Sequence, residues 1–175
     1  MIQAVSFLVA LAALAPAAQM QPATDLSAHT EKQPGFGIRF IDFHWQPELF
    51  DAMEKGGSTM PEAKRNWMLA RIVTEASFTL EGTKVPVGNY ALALWPNLNG
   101  KGLAIELRKV DMRTVLEPNV MAPAPEGVTV YKAPAKFETV AETAPRLDIK
   151  VTGGDKAVNL EVRYGNRRLP LTFTR

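Results

Sequence analysis

The run Asp42-Phe-His44-Trp45-Gln-Pro-Glu48-Leu-Phe-Asp51 carries the densest set of side chains able to do chemistry. If it is extended, Asp42 and His44 share a face, and Glu48 and Asp51 return from the next turn. An imidazole beside carboxylates can work as a general acid/base pair or hold a divalent metal. Glu75 and Arg71 join these catalytic candidates if the fold brings them to the same pocket. A metal site wants three or four protein ligands, and the chain has only two His and no Cys. No metal and no cofactor is therefore assigned. Met53, Met60 and Met68 lie near His44 in sequence, and thioethers suit Cu(I). They form no dense Met-x-x-Met run, so filling a core is their simpler role. The plainer reading of Asp42 and His44 is likewise a solvated pair at a strand end, beside a packed Trp.

Other catalytic patterns are weak. Gly56-Gly57-Ser58 does not match the Gly-x-Ser-x-Gly turn that exposes a nucleophilic serine. Thr152-Gly153-Gly154-Asp155 lacks the helix and Lys of a phosphate-cradling loop. Trp45, Trp95 and Tyr131 are candidates for a ligand-stacking surface, since aromatic rings on a β-sandwich commonly hold sugars or peptides. Trp95 alternates opposite to Tyr90, Leu92 and Leu94, which puts it on the outer face of its strand. Arg163, Arg167 and Arg168 read as a solvated tip.

The elements that must position these residues are mostly strands. Phe36, Ile38 and Phe40 alternate with Gly37, Arg39 and Ile41, a two-residue period that continues to about His44. Pro47 opens a short helix toward Lys55, with Gly56-Gly57 to stop it. Thr59-Met60-Pro61-Glu62 has capping-box spacing. Ala63, Trp67 and Ala70 follow at helical intervals, predicting a helix from Met60 to Arg71. Beyond it come β signals: Ile72–Leu80, a turn at Glu81-Gly82, then Asn89–Pro96 with Tyr90, Leu92 and Leu94 on one face. Leu103, Ile105 and Leu107 alternate on the next strand. Short strands over Val128–Tyr131, Lys136–Ala141 and Arg146–Val151 follow. Thr152–Asp155 turns the chain, Val158–Tyr164 alternates, Gly165-Asn166 makes a two-residue turn, and Leu169, Leu171 and Phe173 return. About seven to nine short strands with turns between them mean a mainly β, antiparallel β-sandwich, with one or two short helices near residues 47–71.

The 175 residues suit one domain with a real core. Hydrophobic residues make up 46% and charged residues 22%, and the net charge is +2. Lys and Arg are interspersed with Asp and Glu, which argues against nucleic acid as a partner. With no cysteine, disulfides and thiol catalysis are excluded. At the N-terminus an uncharged apolar run, Val5–Leu14, leads to Ala15-Pro16-Ala17-Ala18, the pattern a signal peptidase cuts. A spanning helix needs roughly 20 apolar residues, so no permanent membrane span is expected. The division is a signal peptide over 1–18, a flexible leader over 19–35 and one sandwich domain over 36–175, working in the periplasm or as a secreted protein.

The segment Leu80-Glu-Gly-Thr-Lys-Val-Pro-Val-Gly-Asn-Tyr-Ala-Leu-Ala-Leu-Trp-Pro96 resembles the signature of an exported bacterial family known as domain of unknown function number 2911. That signature is a strand, a Gly-Lys turn, a Pro-x-Gly-x-Tyr step and an apolar strand ending in Pro. Asn159–Leu171 resembles the family's closing hairpin, and Trp67, Arg71 and Glu75-Ala76-Ser77 resemble remnants of an element that precedes the signature, with Ile72-Val-Thr74 where the family has Gly-Ala-Asn. The family's Trp and Arg are adjacent, whereas Trp67 and Arg71 are separated. The resemblance implies an exported β-sandwich and no particular chemistry. Two functions follow from the residues. The first is a non-catalytic binding or interaction module for a small molecule, glycan or protein. The alternative is a small hydrolase or metal-dependent enzyme centred on His44 with nearby carboxylates. The geometry of His44, its carboxylates and Arg71 discriminates between them.

Overall fold

The computed structural model describes residues 26–55, 67–96, 102–111 and 125–175. The expected signal segment 1–18 lies outside them. Among the described residues there are ten strands and one helix: β1 Ala28–Gln33, β2 Phe36–Ile41, α1 Pro47–Glu54, β3 Trp67–Thr74, β4 Phe78–Leu80, β5 Thr83–Val85, β6 Gly88–Pro96, β7 Leu103–Val110, β8 Val128–Pro134, β9 Glu138–Gly153 and β10 Ala157–Thr174. They form a six-stranded sheet, β1-β2-β3-β6-β7-β8, and a four-stranded sheet, β5-β4-β10-β9. Every pairing is antiparallel, so the mainly β, sandwich-like class read from the alternation is correct. No helix among the described residues is long and apolar enough to cross a membrane.

The inner faces make one core. Phe36, Ile38 and Phe40 of β2, Ile72 of β3, and Tyr90, Leu92 and Leu94 of β6 lie in it. Leu160 and Val162 of β10 lie in the same core. Phe36 packs edge-on to Phe78 at 5.6 Å and tilted to Phe173 at 5.1 Å, the offset ring geometries that aromatic quadrupoles prefer. Helix α1, with Pro in its first turn, adds Phe50 and Met53 to this core.

Four expectations need correction. Residues 28–33 are strand β1, not flexible leader. Ala28 through Gln33 pair with Ile41 through Phe36, and Gly35 turns the chain at φ +66. Apart from Ala28 its side chains are polar, and all but Gln33 are exposed, so no apolar alternation marks it; backbone pairing makes it. The helix expected from Met60 to Arg71 is strand from Trp67 onward, between β2 and β6; residues 60–66 lie outside the described residues. A central strand buried on both faces reads as a continuous apolar run, which periodicity cannot separate from a helix. Lys136–Ala141 and Arg146–Val151 belong largely to one long strand, β9.

The two-residue turn at Gly165-Asn166 is instead a bulged stretch inside β10. Between Arg163 and Arg167 the partner strand runs from Asp148 back to Thr139. A bulge changes the phase of the pleat: Val158, Leu160, Val162 and Tyr164 are buried before it, and Leu169, Leu171 and Phe173 after it. Leaving β2, the chain crosses to the second sheet. Leu147 N–H donates to Phe43 O and Trp45 N–H to Pro145 O, both at 2.9 Å, so residues 43–45 cover part of the outer edge of β9. Unpaired edges invite association, and this segment closes one.

Candidate functional site

The structure does not assemble the catalytic candidates. Strand β2 ends at Ile41, and Phe43 N–H donates to Ile41 O, so the alternation that would aim Asp42 and His44 together breaks between them. The Asp42 carboxylate accepts the Ser27 N–H at 2.5 Å and lies 3.2 Å from His29 Nε2 and 3.5 Å from Arg146 Nη1. Burial works to raise its pKa. The Ser27 hydrogen bond, His29 and Arg146 outweigh that and hold it below the ordinary 3.8. His44 bridges to Arg146 across the strand edge, and its carbonyl accepts the Tyr164 hydroxyl at 2.7 Å. Glu48 is exposed on α1 and Glu75 exposed after β3. Arg71 stands opposite Arg39 and Ala91, on the outer face of the six-stranded sheet, with Nε donating to Asn89 Oδ1 at 3.0 Å. His44, the carboxylates and Arg71 therefore sit in different places.

The methionines also separate. Met53 lies in the main core, and Met68 lies with Ala91, Ala93 and Val110 in a second cluster on the outer face; Met60 lies outside the described residues. Among the described residues no three His, Asp or Glu side chains group as metal ligands.

Two of the three stacking candidates are packing residues. The Trp45 indole meets Tyr164 edge-on at 4.6 Å and Phe50 at 5.3 Å, over Gly165, where any Cβ would strike the ring. Tyr131 is only 7% exposed and donates its hydroxyl to Glu81 Oε2 at 2.7 Å. Burial, then the hydrogen bond and charge of Glu81, push its phenol well above the ordinary 10.0. Arg163, Arg167 and Arg168 are no loop tip either. They belong to β10 and lie within salt-bridge distance of Glu142 and Glu161, of Glu54, and of Glu138 and Glu161 respectively.

Trp95 is on the outer face, as alternation predicts, half-buried near the end of β6. In register it faces Ala104 of β7, and Ala104 faces Pro134 of β8. Lys132, two residues before Pro134 on β8 and opposite Glu106, reaches over the ring: its Nζ lies 4.6 Å from the centre of the indole. The Arg108 guanidinium lies 5.3 Å from the same ring, a second cation–π contact. Beside them Glu106 is 1% exposed. Arg108 donates to its carboxylate through Nη2 at 3.1 Å and Nε at 3.2 Å, and the Thr129 hydroxyl donates to it as well. Arg108 Nη1 goes to Pro125 O at 3.1 Å. Glu106 is thus buried but paired, as a carboxylate in such a place must be.

The indole Nε1 is shielded from solvent and has no hydrogen-bond partner among the described residues. Buried N–H groups nearly always find one, so this donor is the unusual atom of the cluster. Glu106, Arg108 and Lys132 escaped the sequence reading. Their signal was the charged alternation Glu106, Arg108 inside the apolar run Leu103, Ile105, Leu107. Only the register of three strands brings them to Trp95. No family model, no curated protein and no solved structure matches the chain.

Proposed function

We propose that the chain is an exported, non-catalytic binding module, periplasmic or secreted, that holds its ligand at Trp95 on the outer face of the six-stranded sheet. One observation carries this reading: an indole with an unpartnered N–H, flanked by two cations, on the sheet face that points away from the main core. The residues that would make an enzyme do not meet: Asp42 ties β1 to β9, Arg71 lies on the outer face of the six-stranded sheet, and Glu48 and Glu75 are exposed on α1 and after β3. Export is supported by the apolar run Val5–Leu14 before Ala15-Pro-Ala-Ala, and by the likeness of Leu80–Pro96 to an exported family.

The test of export is the mass of the accumulated product. Cleavage after about 17–23 residues is expected, and an intact Met1 in the cytoplasm ends the export reading. The test of binding is an amide NMR titration of the mature protein against small sugars and short peptides. Shifts should gather on β6, β7 and β8 around Trp95. Shifts around His44 instead would move the site, and turnover of any panel member would restore the enzyme reading.

A further inference from the structure

We infer that the group bound at Trp95 is an anion, a carboxylate or phosphate carried by a small ligand, received by the indole N–H and the Lys132 ammonium. The inference rests on the binding reading above and deepens it. It follows from counting donors and acceptors in the cluster. Glu106, the only carboxylate in it among the described residues, is taken by Arg108 and Thr129. The guanidinium of Arg108 divides its hydrogen bonds between Glu106 and Pro125 O. Two donors remain. Lys132 forms no ion pair among the described residues; its Nζ lies over the face of the indole, and on β8 it stands opposite Glu106. Trp95 Nε1–H has no acceptor among the described residues. An indole N–H and an ammonium can only donate, so the complement is an acceptor, and the charge of the ammonium favours an anionic one.

The charges agree with this. Arg108 and Glu106 neutralise one another, which leaves the positive charge of Lys132 over the ring. Lys132 is exposed and its stem is flexible, so it is the part that moves. The arriving anion draws the ammonium off the ring face toward the ring edge that carries the Nε1–H. The ligand exchanges a modest cation–π contact for two hydrogen bonds, one of them charge-assisted and hence the stronger kind.

The test follows the indole N–H resonances of the full mature protein, with that of Trp95 assigned by its loss in Trp95→Phe. The probes are D-galacturonate, inorganic phosphate and the neutral methyl galactoside. The Trp95 resonance should move with galacturonate while those of Trp45 and Trp67 stay, and the neutral sugar should leave all three unmoved. A response to phosphate as well identifies the anion alone as the ligand; a response to galacturonate only identifies a carboxylate presented on a sugar ring. Lys132→Gln, an exposed change that leaves the fold intact, should weaken binding about tenfold or more, as loss of a charge-assisted hydrogen bond does. Equal response to the neutral sugar with no effect of Lys132→Gln overturns the anion and leaves the binding reading standing. No movement of the Trp95 resonance with any probe also overturns the anion, and the wider sugar and peptide panel then decides the binding reading by itself.

Discussion

The Asp42 carboxylate receives a backbone N–H and an imidazole from Ser27 and His29 and a guanidinium from distant Arg146, so its ionised form belongs to the folded state. A carboxyl held below its ordinary value stabilises the fold at pH above that value, and the gain is lost as pH falls through the lowered one. Asp42→Asn should therefore cost about 1–3 kcal/mol near neutrality, the range for hydrogen bonds to a charged group. It should also flatten the loss of stability below pH 4. Urea midpoints of both proteins from pH 7 to pH 3 measure this, and parallel curves would count against it. Gly165 has φ +60 and no room for a Cβ against Trp45. Gly165→Ala should cost about 2–4 kcal/mol, combining left-handed strain with overpacking, and should shift Trp45 fluorescence. At this scale alternation was informative for Trp95, which sits inside a strand. It could say nothing of Trp45, which sits past a strand end where no period holds.

Strand β6 is buried from Gly88 to Leu94 on both faces, which changes an expectation drawn from its pattern. If only the Tyr90, Leu92, Leu94 face were covered, changes at Ala93 would be cheap. Ala93 is as inaccessible as Leu92 and packs with Met68, Ala91 and Val110. Leu92→Ala should cost about 2–5 kcal/mol by leaving a cavity. Ala93→Leu should cost about 1–3 kcal/mol by overfilling the outer cluster. Denaturant titration of the two variants checks both, and an unaffected Ala93→Leu would mean that the outer cluster is loose. Two-faced burial also explains why β3 reads as a helix: Trp67 to Ala70 are all buried, and no polar side marks the pleat. Strand β1 fails in the opposite way, polar along nearly all its length and visible only through its partner. Where one face is wet, as in β9 at Arg146 to Lys150, the pattern read cleanly.

The molecule as a whole keeps its phenols covered. Burial, the leading cause each time, raises Tyr90, Tyr131 and Tyr164 above 10.0, and these are all three tyrosines of the chain. A raised phenol stabilises the fold fully below its ordinary pKa, and that gain disappears as pH climbs through the raised one. Absorbance at 295 nm should stay flat past pH 10 and rise only when circular dichroism reports unfolding; an early rise would mark a solvated phenol. Fold class was legible because strand period and turn residues are local, whereas the Trp95 cluster depends on register across three strands and was not. The crossing segment after β2 has a further consequence, in time rather than in stability. The Tyr164 hydroxyl closes hydrogen bonds to His44 and Gln46 across 120 and 118 residues of chain. An early segment thus finds its place only after the last strand exists. Such remote pairings make folding slow, in milliseconds to seconds rather than microseconds. On the export reading that delay is useful, because a chain that must be threaded across a membrane unfolded has to remain so until its final residues are made.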